Sequence, residues 1–450
     1  MTVPLSDFHA TIRYLEELIT RPILPREQVG LVRIQTLLAA IDHPERRFAA
    51  VQVAGTTGKG STTTMTATIL REAGYRTGAF VSPHLQSYRE RIAVDGVPID
   101  EASWVRLLNV LLPILDRMEG NDLPGYRGGR AAFLDVLWAM ACLAFVERGV
   151  QYAVIETGLG GRLDPTTANE AGVAVITNVS LDHVERLGNT VEQIATEKSG
   201  LIKHGQRVVS AAVEPALGVV REACVRQDAE LWSVGERDAI QVIPNGPQPD
   251  APFAVLTPVR RHAGLRSGLL GVHQRANAAC AVGAIDALVA KMGATIPPEV
   301  VSSGLARARM PGRLELLAGR PQVLLDGAHN VAGAQALADA LRGLFGGRRI
   351  ILLLGILGDK DYSAIAALLS PLAAAVMVSE PPWKSRAGFA GAVTNEARRY
   401  CAHVEEHDNP ADALERAQAL AGPDDLVVVA GSLYLVGAVR DLLCPEASET

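Results

Sequence analysis

Residues 54–64 read AGTTGKGSTTT. Glycines, one lysine and a run of hydroxyls at this spacing suit a loop that wraps phosphate. Backbone N–H groups exposed by Gly55, Gly58 and Gly60 can bind phosphate oxygens, and Thr56 and Thr57 complete the loop. Lys59 would neutralise β- and γ-phosphate charge. A hydroxyl from Ser61 or Thr62 would hold Mg²⁺. The spacing departs from the common G-x-x-x-x-G-K-[ST] pattern. Val53 stands where the first glycine belongs, and Ser61 falls one residue late. A Gly-rich turn between a strand and a helix is the plain alternative.

Other residues extend the pattern. Glu156 ends the apolar run YAVIE. A carboxylate facing a triphosphate is repelled by it, so its use there is to hold a metal ion. His183, in NVSLDH, follows another apolar run. Alone it reads as a hydrogen-bonded histidine; sharing an edge with Glu156 and the Gly-rich loop, it reads as a metal ligand. Lys198 lies in TVEQIATEKSGLIK, where Thr190 caps a helix and Gly200 ends it. Spacing alone favours a solvated lysine that complements the helix dipole. DGAHN (326–330) and GDKD (358–361) follow apolar runs near the C-terminal end. Asp326 and His329 are placed to touch a ribose or phosphate across a cleft, or simply to cap their loop.

These loops need a scaffold that brings them together. Apolar runs at 48–54, 76–81, 152–156 and 173–178 read as strands, and 61–73, 101–118 and 131–148 as helices. Strand alternating with helix predicts an α/β domain with a mostly parallel sheet. Ligands of such sheets lie beyond the strand C-termini. The Gly-rich loop, SPHL (82–85), ETGLGGRLD (156–164) and NVSLDH (178–183) should therefore share one edge. Residues 235–270 read as a small β-rich excursion, and 273–293 as a helix. RMPGRLE (309–315) reads as a linker. Strands at 322–326, 349–354, 373–379 and 425–430 then predict a smaller, Rossmann-like α/β domain. The expected domains are 1–308, which holds the phosphate loop, and 309–450.

Bulk properties restrict the function. The chain has 450 residues, 48% hydrophobic and 20% charged, which fits an ordinary globular protein. A net charge of −6 argues against general affinity for nucleic acid or anionic membrane. The five cysteines form no CxxC pair, so a disulfide framework or metal cluster is not expected and a reducing cytoplasm is. The start, MTVPLSDFHATIRYLEEL, is broken by acids and does not read as a signal peptide. The longest apolar run considered, ILLLGIL (351–357), is too short to span a bilayer.

In this order and spacing the motifs resemble the folylpolyglutamate synthase and dihydrofolate synthase branch of the Mur ligases. The family's loop, GT-x-GKGS, matches VAGTTGKGST (53–62) and accounts for the unusual spacing. GLVRI (30–34), SPHLQSYRERI (82–92), ETGLGGRLD, SLDHVERLGNTVEQIATEKSGLIK (180–203), HQRANAACA (273–281), RMPGRLE, DGAHN, GILGDKD (355–361) and GSLYLVG (431–437) extend the likeness along nearly the whole chain. The resemblance implies ATP-dependent amide formation in folate metabolism. ATP phosphorylates a carboxylate of folate or dihydropteroate, and L-glutamate attacks the acyl phosphate. It implies one Mg²⁺ at Ser61, Ser82 and Glu156, and a second at His183 and Lys198. It further implies a carbamylated Lys198, which overturns the solvated reading. Asn277 matches an adenine-side position, Arg313 a phosphate contact, and Asp326 and His329 nucleotide contacts from the second domain, so the site is expected in the cleft. Arg386, in WKSRA, is a candidate for the glutamate site by position. The family is usually monomeric, and a monomer is expected.

The likeness weakens at two stretches. The family's T-F-F-E-x-L-T becomes AAFLDVLW (131–138), with Ala132, Asp135 and Trp138 at altered positions. Its L-D-A-T-N becomes LDPTT (163–167), and Thr57 replaces the usual loop Asn. Lost pocket polar groups change specificity by large factors. An amide ligase for a non-folate carboxylate is therefore the alternative reading. A non-catalytic nucleotide binder would lack Lys59, Glu156 or His183, and a hydrolytic ATPase would turn over ATP without the acceptor.

Overall fold

The computed structural model describes residues 4–246, 248, 250–382 and 389–444. They fall into two compact units: the described residues of 4–244, 253–266 and 276–308 in one, and those of 245–252, 267–275 and 309–444 in the other.

The first unit is built on β1 (Ala49–Ala54), β2 (Thr77–Phe80), β3 (Ile92–Val94), β4 (Val97–Pro98), β5 (Tyr152–Glu156), β6 (Val173–Ile176), β7 (Arg207–Ser210) and β8 (Glu230–Ser233). They form one sheet in the order β4-β3-β2-β5-β1-β6-β7-β8. Only β2–β3 and β3–β4 pair antiparallel. β5 and β6 are apolar almost throughout, as strands covered on both faces must be. Register explains why distant loops meet. Val53 pairs with Glu156, Ala54 with Ile176, and Phe80 with Ile155. The residues that follow these strands therefore emerge side by side at one edge.

The helix Phe133–Glu147 is apolar on almost every side and is buried along most of its length. Trp138 is fully buried, its ring edge-on to Phe80 at 5.4 Å between centroids. Asp135 is only 4% exposed, and its carboxylate accepts from the Ala132 backbone N–H at 2.7 Å. This closes the helix N-terminus, where N–H groups lack intrahelical partners.

The β-rich excursion is a three-stranded antiparallel sheet of β9 (Gln241–Pro244), β10 (Phe253–Leu256) and β11 (Arg261–Leu265). Asp286, fully buried on the helix Gln274–Met292, fastens it. Its carboxylate accepts from Thr257 Oγ1 at 2.6 Å and Arg260 Nε at 2.9 Å, with His262 Nε2 also at 2.9 Å.

The second unit holds β12 (Glu315–Leu317), β13 (Gln322–Leu325), β14 (Ile350–Leu354), β15 (Ala375–Ser379), β16 (Val404–His407) and β17 (Leu426–Ala430). Their order is β12-β13-β17-β14-β15-β16, parallel except for β12–β13. Arg416 holds Glu405 of the outer strand β16 through two nitrogens, at 2.8 and 2.9 Å. No helix among the described residues is long and apolar enough to cross a membrane.

Candidate active site

The phosphate loop leaves β1 at Gly55 and enters the helix Lys59–Glu72 at Gly58. Both glycines are required. Gly58 has φ +81°, which disfavours any residue bearing a Cβ, and a Cβ there would strike Asn277 Oδ1. A Cβ at Gly55 would strike Thr177 Oγ1. Asn277 is thus seated directly against the loop.

Thr56 and Thr57 fasten the loop to residues after β6. Thr56 Oγ1 donates to Ser180 O at 3.1 Å, and Ser180 N donates back at 3.0 Å. Thr57 N donates to Asn178 Oδ1 at 2.8 Å, and Asn178 Nδ2 donates to Thr57 Oγ1 at 2.6 Å. Thr62 Oγ1 turns to Asn277 O, 3.5 Å away, so of the two hydroxyls considered for a metal, Thr62's is directed inward. Ser61 is 4% exposed in the first turn of the same helix.

Lys59 Nζ curls over its own loop, donating to Gly55 O at 3.2 Å and Thr56 O at 3.1 Å. Lys198 corrects the reading from spacing. It is 5% exposed rather than solvated, and its Nζ donates to Gly55 O at 2.7 Å. Burial, then the charge of Lys59, pushes its pKa down to about 7, against the pull of Asp182 and Asp164. A helix-terminal lysine points inward here because the helix Val191–Ser199 packs its last turn onto the site.

Glu156 and Ser82 come together as the register requires. Ser82 N donates to Glu156 Oε2 at 3.0 Å, and Glu156 is 4% exposed. His183 has φ +49° and a side chain 46% exposed, with Nε2 3.9 Å from Asp182 Oδ1. In the second unit, Asp326 accepts from Leu314 N and Ala328 N, each at 2.9 Å. Burial raises the pKa of Asp326, opposed by Arg313 and these two N–H groups. His329 Nδ1 lies 2.8 Å from Gly327 O. Arg386 lies outside the described residues.

The altered stretches turn out to be interior. Asp135, Trp138, Asp164, Thr166 and Thr167 are all at most 4% exposed. Ala132, Phe133 and Leu134 are the partly accessible residues of 131–138. Phe133 lies beside Tyr88, and the Arg91 guanidinium sits 5.3 Å from the Phe133 ring centre and 5.7 Å from that of Tyr88. Reading the sequence missed Asn178 and Thr177. Their signal was a polar pair directly after an apolar strand.

A sheet whose phosphate loop follows its central strand, with a second α/β unit behind it in sequence, is the plan of a Mur-type ligase. The Mur ligase middle domain matches residues 133–285, and the Mur ligase glutamate ligase domain matches 312–433. The chain is 35% identical over 419 residues to a Bacillus subtilis dihydrofolate synthase/folylpolyglutamate synthase, covering 92% of this chain and 95% of that protein. A Mycobacterium tuberculosis folylpolyglutamate synthase complexed with ADP matches with TM-score 0.88 and 31% identity, over 97% of this chain and 99% of that one. Escherichia coli FolC in complex with DHPP and ADP matches with TM-score 0.85 and 25% identity, over 98% and 99%. The chain belongs to the dihydrofolate synthase/folylpolyglutamate synthase family.

Proposed function

We propose that the chain joins L-glutamate to folate, to dihydropteroate, or to both, at the expense of ATP. The observation that carries the reading is the meeting of Lys59 and Lys198 on Gly55 O, at the mouth of a phosphate loop flanked by Glu156 and Ser82. The substrate's carboxylate attacks the γ-phosphorus of ATP, forming an acyl phosphate and ADP. The glutamate amine then adds to the acyl carbon, and the tetrahedral intermediate expels phosphate. Phosphoryl transfer asks chiefly for positioning and charge neutralisation. The loop N–H groups, Thr56–Gly60, orient the phosphates, and Lys59 neutralises them. Asn277 would border the base side, and Arg313, Asp326 and His329 would each offer a nucleotide contact.

Among the described residues no three His, Cys, Asp or Glu side chains form a ready metal cage. That suits Mg²⁺, which binds through one or two carboxylates, hydroxyls, water and substrate phosphates. Glu156, Ser61 and Ser82 would hold one ion, and His183 and Lys198 a second, supplying further neutralisation of phosphate charge. With a pKa near 7, the Lys198 amine is neutral often enough to take up CO₂, releasing a proton and becoming an anionic carbamate. The half-buried rings of Tyr88 and Phe133, set edge-to-face and steadied by Arg91, offer an apolar corner against which a pteridine ring can pack. We take the chain to act as a monomer in the cytoplasm; its five free cysteines, four of them buried, fit a reducing compartment.

The test is phosphate release with ATP, Mg²⁺ and L-glutamate across dihydropteroate, tetrahydrofolate and a cell-wall precursor, with products weighed. A glutamate-sized mass gain on a pterin supports the reading. Turnover with the cell-wall precursor alone overturns the folate assignment and keeps the ligase chemistry.

A further inference from the structure

Gln52 is the polar residue of β1, and it is fully buried. Its Nε2 lies 3.3 Å from Thr157 Oγ1, 3.1 Å from Thr166 Oγ1 and 3.0 Å from Thr167 Oγ1. Asn169 Nδ2 approaches its Oε1 at 3.4 Å. One amide thus gathers both ends of the loop 157–168. Asp164, also fully buried, closes that loop on itself, accepting from Leu159 N at 2.9 Å and Thr166 Oγ1 at 2.6 Å.

The loop then seats on the helix that carries Lys198. Thr167 Oγ1 donates to Gly161 O at 2.7 Å. A Cβ at Gly161 would overlap Lys198 O and lie 2.9 Å from Glu197 O. Arg162 N donates to Glu197 O at 2.9 Å. A Cβ at Gly200 would overlap the Arg162 side chain. Glycine on both sides lets two backbones touch, so the last turn of the helix is placed by main-chain contact. Lys198 Nζ then reaches Gly55 O, one residue beyond the strand that holds Gln52. The path is closed: β1, Gln52, Thr167, Gly161, Lys198, Gly55 and back to β1.

We infer that Gln52 is a positioning residue, which seats loop 157–168 against the last turn of the helix Val191–Ser199 and so sets where the Lys198 amine meets the phosphate loop. A buried hydrogen-bond network rigidifies what it joins. Gln52 touches no substrate; it acts through the loop and the helix. The effect on turnover rests on the ligase reading above, whereas the placement of Lys198 does not.

The experiment compares wild type, Gln52→Leu, Thr167→Val and Lys198→Ala, with the double variant Q52L/K198A. Two quantities are read: kcat with KM for ATP, and the rate at which an amine-directed acylating reagent modifies Lys198, followed by peptide mass. Gln52→Leu and Thr167→Val are each expected to lower kcat about tenfold or more, with KM for ATP held within about threefold. Lys198 modification should quicken about fivefold or more, as the amine leaves its hydrogen bond. On the Lys198→Ala background, Gln52→Leu should cost less than about twofold further, because residues acting through one another are not additive. Unchanged Lys198 labelling in a folded Gln52→Leu protein overturns the inference, as does full multiplication of the two kcat losses. If Gln52→Leu does not fold, Thr167→Val, which keeps the shape of the side chain, decides it alone. If wild type shows no ligase turnover, the proposed function falls, and the labelling still decides the placement of Lys198.

Discussion

Lys59 Nζ and Lys198 Nζ converge on one acceptor, the Gly55 carbonyl, at 3.2 and 2.7 Å. Burial, and then the charge of Lys59 beside it, lowers the proton affinity of Lys198, the deeper of the two. The site is arranged for anions to arrive, and it carries strain until they do.

That strain has a pH signature. The folded pKa of Lys198, about 7, lies below its ordinary value of 10.5. Between these values the unfolded chain holds more protons, so stability rises with pH across that window. Below about 7 the penalty is complete, and above about 10.5 it is gone. Lys198→Met should therefore unfold at a higher temperature than wild type at pH 6, with the advantage shrinking by pH 9, while ligase turnover falls about 10²-fold or more. Thermal unfolding at three pH values and a rate assay check both. A Lys198→Met protein less stable than wild type at pH 6 would contradict the assignment.

Asp135 is shifted by the same leading cause, burial, but its pH dependence runs the opposite way. Burial raises its carboxyl to about 6 from an ordinary 3.8. The unfolded chain gives up this proton first, so stability is lost as pH climbs from about 4 to 6. Asp135→Asn keeps an oxygen for the Ala132 N–H and should gain about 1–3 kcal/mol at pH 7.5, fading to nothing by pH 4. Denaturant unfolding at the two pH values measures it.

Gly58→Ala should weaken ADP binding about tenfold or more, since both φ +81° and the Asn277 side chain oppose a methyl group. Adding Asn277→Gly removes the collision but leaves the backbone strain, so part of the loss should return. Calorimetric ADP titration of both variants separates the two contributions.

Asn178→Ala removes both bonds that Asn178 makes to Thr57. The loop then loses a fastening and leaves polar groups unpaired, at about 1–3 kcal/mol. The expected result is weaker ADP binding with an unchanged ratio of pterin substrates.

Much of the first sheet was legible because its strands are short apolar runs, each followed by a polar loop, and that pattern located the ligand edge. The N-terminal helix Phe8–Thr20, β7, β8 and β16 were not read. RVVS, ELWS and VEEH are four-residue strands with too little alternation to register. Lys198 was misread from spacing because a helix end looks alike whether it faces water or a site; tertiary packing decided it. The altered LDPTT stretch looked like a changed pocket, since a sequence does not say that Asp164, Thr166 and Thr167 are spent on one another and on Gln52. A lone glutamine amid FAAVQVA was the visible trace of that network.

The strand β16 has a wider consequence. It is the rim of the second sheet, and rims are where a foreign strand can zip on. Its neighbour β15 reads AVMVS, and the two strands beyond that read IILLL and LVVVA, sequences that stack readily when bared. VEEH sets two carboxylates along the rim instead. Successive residues of a strand face opposite sides, so Glu405, held by Arg416, and Glu406 place a charged residue on each face of the rim. A rim so charged disfavours the pairing with which a polymer would begin, and the residues responsible are those that made the strand hard to recognise.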